Sequence, residues 1–255
     1  MEARRYLLRL AYRGTAYAGW QRQPNALSVE EVVDTALSTV LGTPIKVVGC
    51  GRTDAGVHAS DYALHFDYAG VLPPRLLGRL NRYLADDIAL RDLYLVPSDL
   101  HARFAARSRS YRYDLSLVKD PFRIGTVSWL PNLAGLDRAE MNAAAALLLE
   151  YGEFAPFCKT NNDAYTMRCA LTESRWEFGP LEWHYHITAD RFLRGMVRLI
   201  VGMCLRVGEG RLSLEEVRRA LDRQERLPRP YSAPAAGLFL TAVDFGTQND
   251  WCTVS

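Results

Sequence analysis

Val48-Gly49-Cys50-Gly51-Arg52-Thr53-Asp54-Ala55-Gly56-Val57-His58-Ala59 carries three glycines within eight residues, and sets one cation and one carboxylate, Arg52 and Asp54, among them. Glycine in a helix or strand interior costs roughly 0.5–1 kcal/mol relative to alanine, so this density marks a turn that needs positive φ or close backbone approach. Ahead of it, Ile45-Lys46-Val47-Val48 is rich in β-branched residues and predicts a strand over 44–49. Behind it, Tyr62-Ala63-Leu64-His65-Phe66 alternates as a returning strand over 61–68. The expectation is a carboxylate held on a glycine-built loop between two strands. An aspartate beside glycines most often only caps a turn, so the rest of the chain must decide whether Asp54 does more.

Outward from the loop, the first half orders itself. Arg5 to Tyr12 reads as a strand, followed by a polar loop from Arg13 to Ala26 that holds Tyr17, Trp20 and Gln21. Such length without structure is common in functional loops. Ser28 and Glu31 form a capping-box pair opening a helix whose apolar face is Val29, Val33, Ala36, Leu37, Val40 and Leu41, and which Gly42 and Pro44 end. After the returning strand, Pro73 and Pro74 open a helix to about Leu84, and Ile88 to Val96 is a strand stopped by Pro97. The order is β-α-β-β-α-β.

The second half repeats that order with one more helix. Arg109 to Leu117 alternates as a strand; Asp137 and Glu140 cap a helix running to Tyr151; strands follow over 167–179 and 181–189. Phe192 to Val207 is a helix, Ser213 and Glu216 cap another to about Arg223, and Gly237 to Phe245 is the last strand. The expected fold class is therefore α+β, with two βαββαβ (ferredoxin-like) halves forming antiparallel sheets, helices on one face, and an active-site cleft between the halves. The expected domains are residues 1–98, which contain the Asp54 loop, and 99–255, which contain the arginine-faced helix. The repeat is one of element order, without obvious sequence identity between halves.

Composition narrows the function classes. The 255 residues are 49% hydrophobic and 24% charged, an ordinary globular mixture. No apolar run approaches the ~18 residues of a membrane span, and Arg9 interrupts the N-terminal stretch too early for a signal peptide. Five cysteines form no CxxC pair, which suits a reducing, cytoplasmic setting. His184 and His186 share a strand face, but without clustered cysteine or acid they read as a polar face rather than a metal site. The net charge is only +2, yet all but three of the 31 basic residues are arginine, which grips phosphate bidentately and stacks on bases. They concentrate: Arg103, Arg107, Arg109 and Arg112 fall in an acid-free stretch, and residues 191–211 carry five arginines against one glutamate.

Three groups stand out chemically. On a helix over 192–207, Arg191, Arg194, Arg198, Gly202 and Arg206 share one face at 100° per residue. Arg198 lies between Val197 and Leu199, and a half-buried arginine needs a partner; Asp54 is a candidate. Tyr111 and Tyr113 share one face of their strand, a core face or a stacking platform for a base. The chain has no phosphate-binding glycine loop, no serine elbow and no HExxH helix. Asp54 remains as the central chemical group. A carboxylate beside an arginine stays ionised at neutral pH, which suits a nucleophile or general base rather than a general acid.

These stretches resemble the tRNA pseudouridine synthase A family. Gly51-Arg52-Thr53-Asp54-Ala55-Gly56-Val57-His58-Ala59 is similar to its signature loop, and Tyr12 to Gln21 to its first loop. His101-Ala102-Arg103-Phe104-Ala105-Ala106-Arg107 with Tyr111-Arg112-Tyr113, the run Phe192 to Gly202, and the run Gly237 to Phe245 resemble its later motifs. Residues 157–162 match loosely and are candidates for tuning substrate preference. The resemblance implies isomerisation of uridine to pseudouridine in the anticodon stem-loop of tRNA, by a cytoplasmic homodimer, without metal or organic cofactor. It makes Asp54 the catalytic carboxylate, Tyr111 the active-site tyrosine and Arg198 the partner of the aspartate. It makes Arg52 a holder of the extruded nucleotide and Leu238 part of the uracil pocket. Arg103, Arg107 and Arg194 are the further candidates for holding RNA. A non-catalytic RNA-binding module on the same fold is the alternative, but it gives no reason for a carboxylate where phosphate must approach. An aspartate-nucleophile hydrolase would need paired carboxylates or a metal, which the sequence lacks.

Overall fold

The computed structural model describes residues 2–130, 133–159, 165–248 and 250–254. In chain order the elements are β1 (Arg4–Tyr12), α1 (Val29–Leu41), β2 (Val48–Gly49), β3 (His58–Tyr68), α2 (Leu76–Tyr83), β4 (Ile88–Val96), α3 (Ala102–Ala105) and β5 (Ser108–Ser116). They continue as β6 (Ser128–Trp129), α4 (Arg138–Leu147), β7 (Leu171–Phe178), β8 (Glu182–Ala189), α5 (Met196–Gly208), α6 (Leu214–Arg223), β9 (Leu238–Asp244) and β10 (Cys252–Thr253). The class is α+β, with mostly antiparallel strand pairing. The chain falls into two compact units, Met1–Arg107 with Leu240–Ser255, and Ser108–Phe239.

In the first unit β1 is the central strand, antiparallel to β3 on one side and β4 on the other. Leu8 sits opposite Leu64 and Leu93 in the two ladders, and all three are buried. Val33 and Leu37 of α1 and Leu80 of α2 are also fully buried. The Oγ of Ser28 accepts from the amide of Glu31, and Gly42 closes α1 at φ 69°, as the capping signals predict. Asn81 of α2 exchanges two hydrogen bonds with the backbone of Leu90, which fixes α2 on β4.

The strand expected over 44–49 shrinks to Val48–Gly49. The reason lies in α1. The amide of Ile45 donates to Ser38 Oγ and that of Val47 to Asp34 Oδ1, each at 2.8 Å, so helix side chains replace the ladder.

In the second unit β8 lies between β5 and β7, antiparallel to both, with Tyr185 opposite Tyr113 and Trp176. Helix α4 is bonded to β7: Ser174 Oγ donates to the carbonyl of Ala145, and Asn142 Oδ1 accepts from the amide of Trp176. Asp137 and Ser213 cap α4 and α6 as expected, the latter with the complete Glu216 capping box. Helix α5 is buried over most of its length.

Helix α5 begins at Met196, four residues later than the sequence pattern predicts. Gly195 has φ +70°, a conformation that interrupts the helix and which a side chain resists. Arg191 and Arg194 therefore precede the helix, and only Arg198, Gly202 and Arg206 of the expected arginine face belong to it. Of the loosely matched stretch 157–162, residues 160–162 lie outside the described residues.

Candidate active site

In the first unit the loop bearing Asp54 joins β2 to β3, and the earlier loop after β1 braces it. The amide of Trp20 donates to the carbonyl of Thr53, and that of Gly56 to the carbonyl of Tyr17. Tyr12 and Thr53 share a buried hydroxyl–hydroxyl bond of 2.9 Å, and the amide of Gly14 donates to Nδ1 of the buried His58. Tyr62 from β3 donates its hydroxyl to the carbonyl of Gly51, with Trp20 stacked on its ring at 4.1 Å. These contacts grip the loop by its backbone, by Thr53 and by His58, and they leave Asp54 half-buried.

Two glycines make this contact possible. A Cβ on Gly19, which has φ +93°, would lie 2.3 Å from the Thr53 carbonyl oxygen, and one on Gly14 would lie 1.9 Å from the Val57 carbonyl oxygen. Within the loop Gly56 takes φ +77°, the conformation that glycine alone adopts at little cost. The loop is thus packed directly against the segment that follows β1. Arg52, on the same loop, is exposed.

Arg103 and Arg107 belong to this unit and are exposed. Arg103 lies on α3 with its guanidinium over the ring of Phe104, 5.6 Å from the centroid. Phe104 is itself 76% exposed, and its ring packs against His101 at 4.4 Å. His65 supports α3: its Nδ1 accepts from the amide of Ala102 at 3.2 Å. Burial, with smaller contributions from Arg5 and His101, pushes the His65 pKa down to about 4. Arg107 rests its guanidinium against Gly246, and its amide donates to the Asp244 carbonyl.

In the second unit Tyr111 lies on β5 and is half-buried, with the ring of Phe192 edge-on at 5.1 Å. Leu238 opens β9 and is buried. Arg198, in the first turn of α5, is half-buried, and its Nε donates to the carbonyl of Ala233 at 2.6 Å. Pro234, the next residue, accepts from the Tyr113 hydroxyl at 2.8 Å. Arg194 is exposed just ahead of α5, and its carbonyl accepts from the amide of Lys159. Of the acid-free basic stretch, Arg112 is engaged by Asp114 through two bonds of 2.7 and 3.0 Å, and that pairing holds its pKa up.

The sequence pattern does not single out the groups that position these residues: Thr53 with Tyr12, Tyr62, and the stretch Ser232-Ala233-Pro234. The prolines at 228, 230 and 234 are the one signal for a fixed, extended segment. Phe104 stands in a motif, and its exposure has no mark in the sequence. His184 sits 2.7 Å from Asp114, and among the described residues no group of three His, Cys, Asp or Glu side chains is arranged to hold a metal. No helix among them is long and apolar enough to cross a membrane.

Comparison with known proteins gives the chain a class. A family model described as tRNA pseudouridine synthase matches residues 144–246. The chain is 46% identical over 246 residues to tRNA pseudouridine synthase A of Porphyromonas gingivalis, covering 94% of this chain and 96% of that one. It is 42% identical over 248 residues to the Bacteroides fragilis protein of the same name, covering 96% and 98%, and 35% identical over 256 residues to that of Chlamydia muridarum, covering 97% and 94%. The class is that of the pseudouridine synthases, isomerases that convert uridine to pseudouridine. This chain belongs to the tRNA pseudouridine synthase A family.

Proposed function

We propose that this protein isomerises uridines in the anticodon stem-loop of tRNA, with Asp54 as the catalytic carboxylate and Tyr111 and Arg198 acting on the same nucleoside. The observation that carries the reading is the bracing of the Asp54 loop: backbone and Thr53 contacts hold it while Asp54 itself is only half-buried. A turn-capping aspartate would not need such support.

The reaction breaks the N1–C1′ bond, turns the base and forms C5–C1′. An ionised carboxylate starts it by attack on C1′ or on C6, or by removing a sugar proton; each divides one hard step into easier ones. In this reading Arg198 orients the carboxylate, and Tyr111 stacks on the uracil and lends its hydroxyl to removal of the C5 proton. Leu238 lines the uracil pocket. Arg52 holds the nucleotide out of its stack, which costs a few kcal/mol. Arg103 with Phe104, Arg107 and Arg194 supply backbone and stacking contacts that offset that cost. The duplicated βαββαβ arrangement and a homodimer are parts of the same proposal.

The test is incubation with unmodified tRNA and mass spectrometry of the product. The wild type yields pseudouridine, whereas Asp54→Asn yields none and keeps tRNA affinity within a few fold. Absence of pseudouridine with the wild type overturns the reading. Sedimentation showing a monomer at working concentration removes the dimer.

A further inference from the structure

At the far end of α5 from Arg198, the second unit has a cavity of about 240 Å³ lined by Arg206, Arg211, Leu212 and Arg229. Three of its four lining residues are guanidinium bearers, and Leu212 is the apolar remainder. We propose that this cavity is a phosphate-binding site that takes a backbone phosphodiester of the RNA substrate.

Charge and rigidity support it. Arg206 and Arg211 share one carboxylate, Glu209 Oε2, at 2.7 and 3.2 Å, so the pair retains an excess positive charge. Arg206 is also fixed by the ring of Tyr231, 4.9 Å from its guanidinium. A pre-positioned planar fork matches phosphate geometry better than a mobile lysine. Arg229 adds a third cation. Glu216 accepts two bonds from Ser213 in its own capping box. A second depression, which shares Arg211 and Leu212 with the first, is lined by Asp137, Glu140, Glu209 and Glu216 and repels phosphate. The anion is thereby directed to the Arg206 and Arg229 side.

Size and composition select the ligand. The volume is below the roughly 300–1,000 Å³ of pockets that engulf a whole small molecule. No aromatic ring or amide side chain lines it to recognise a base, so it reads phosphate alone. A polymer whose bases are held elsewhere meets that description. Arg198 and Arg206 lie eight residues apart on α5, about 12 Å along its axis, and both touch the segment Tyr231–Ala233. One segment thus fixes both arginines.

The inference rests on the tRNA reading above, and the experiment separates the two. Arg211→Gln and Arg229→Gln, which leave the Arg206 packing intact, are compared with wild type for tRNA binding over a range of salt. Arg175→Gln is the control, because Arg175 is exposed on β7 between Glu173 and Glu177. Each cavity variant is expected to bind tRNA roughly tenfold more weakly, with the slope of log K against log salt reduced by about 0.7–0.9; the control matches wild type. Wild-type affinity and slope in both cavity variants overturn the proposal. So does a result in which the variants lose inorganic phosphate binding, measured by calorimetry, while tRNA binding is unchanged, since the site then serves free phosphate. Wild-type protein that binds tRNA with the expected salt dependence but forms no pseudouridine overturns the functional reading and leaves this site standing.

Discussion

Arg198 and Ala233 clasp each other twice: the Arg198 Nε donates to the Ala233 carbonyl at 2.6 Å, and the Ala233 amide donates to the Arg198 carbonyl at 3.0 Å. The side-chain bond fixes the rotation of the guanidinium about its stem. A lysine has neither the planar fork nor an Nε at that distance from the backbone. Arg198→Lys is expected to lose most activity, roughly tenfold or more in kcat, with its melting temperature changed little. Full turnover by that variant, measured by pseudouridine release from tRNA, rejects the role given to Arg198.

The segment that holds Arg198 depends on a glycine. A Cβ on Gly202 would lie 1.8 Å from the carbonyl oxygen of Tyr231, which is backbone and cannot swing away. Gly202→Ala must therefore push the segment off α5. Overpacking of this kind costs about 1–3 kcal/mol, and the displaced Ala233 carbonyl no longer meets Arg198. Thermal unfolding should show the loss of stability, and activity should fall further than stability alone explains.

Much of this site was legible because residue type encodes backbone demand. Glycines at 49, 51 and 56 announced the Asp54 loop, and Ser28, Asp137 and Ser213 announced helix starts that the hydrogen bonds bear out. The start of α5 was not legible, since Gly195 fits a helix interior in the pattern and only its φ of +70° excludes it. The short β2 was hidden for another reason: Asp34 and Ser38 satisfy its neighbours' amides from a helix that sequence places separately. Ala233 itself offered no signal beyond the prolines around it, because it acts through its backbone.

Tyr12 and Thr53 lie 41 residues apart in sequence and meet through one buried bond. Tyr12→Phe keeps the ring contacts with Trp20 and Tyr62 and removes only the hydroxyl. The Thr53 hydroxyl then loses a partner where water is excluded, a cost of about 1–3 kcal/mol. The variant should fold, melt at a lower temperature and turn over more slowly at unchanged tRNA affinity. An unchanged kcat would show that the loop does not need this brace.

Phe104 leaves 76% of its surface open although it is packed against His101 and lies beneath Arg103. A base stacked on it contributes roughly 1–3 kcal/mol. Phe104→Ala should weaken tRNA binding accordingly, and Phe104→Trp should restore it, because any flat π-face serves. Phe104→Leu keeps the apolar area without the face. Should leucine bind tRNA as well as phenylalanine does, stacking is not its role.

His65 gives α3 a dependence on acid. Its Nδ1 accepts from the Ala102 amide and so must be unprotonated, and burial lowers its pKa from 6.5 to about 4. In the unfolded chain the ring takes a proton near its ordinary value, so between those two pKa values the unfolded state binds more protons. The stability from the neutral ring is complete above pH 6.5 and is lost as pH falls toward 4, by roughly 1.4 kcal/mol for each tenfold difference in proton affinity between the two states. His65→Asn places a carbonyl oxygen near the Nδ1 position and does not titrate. Urea unfolding at about pH 7 and about pH 4.5, either side of most of that interval, should show a smaller acid loss for this variant than for wild type. Because α3 carries Arg103 and Phe104, the tRNA affinity of the folded wild type should hold until its own ring takes a proton near pH 4, and equal acid losses in the two proteins would assign the stability effect to other groups.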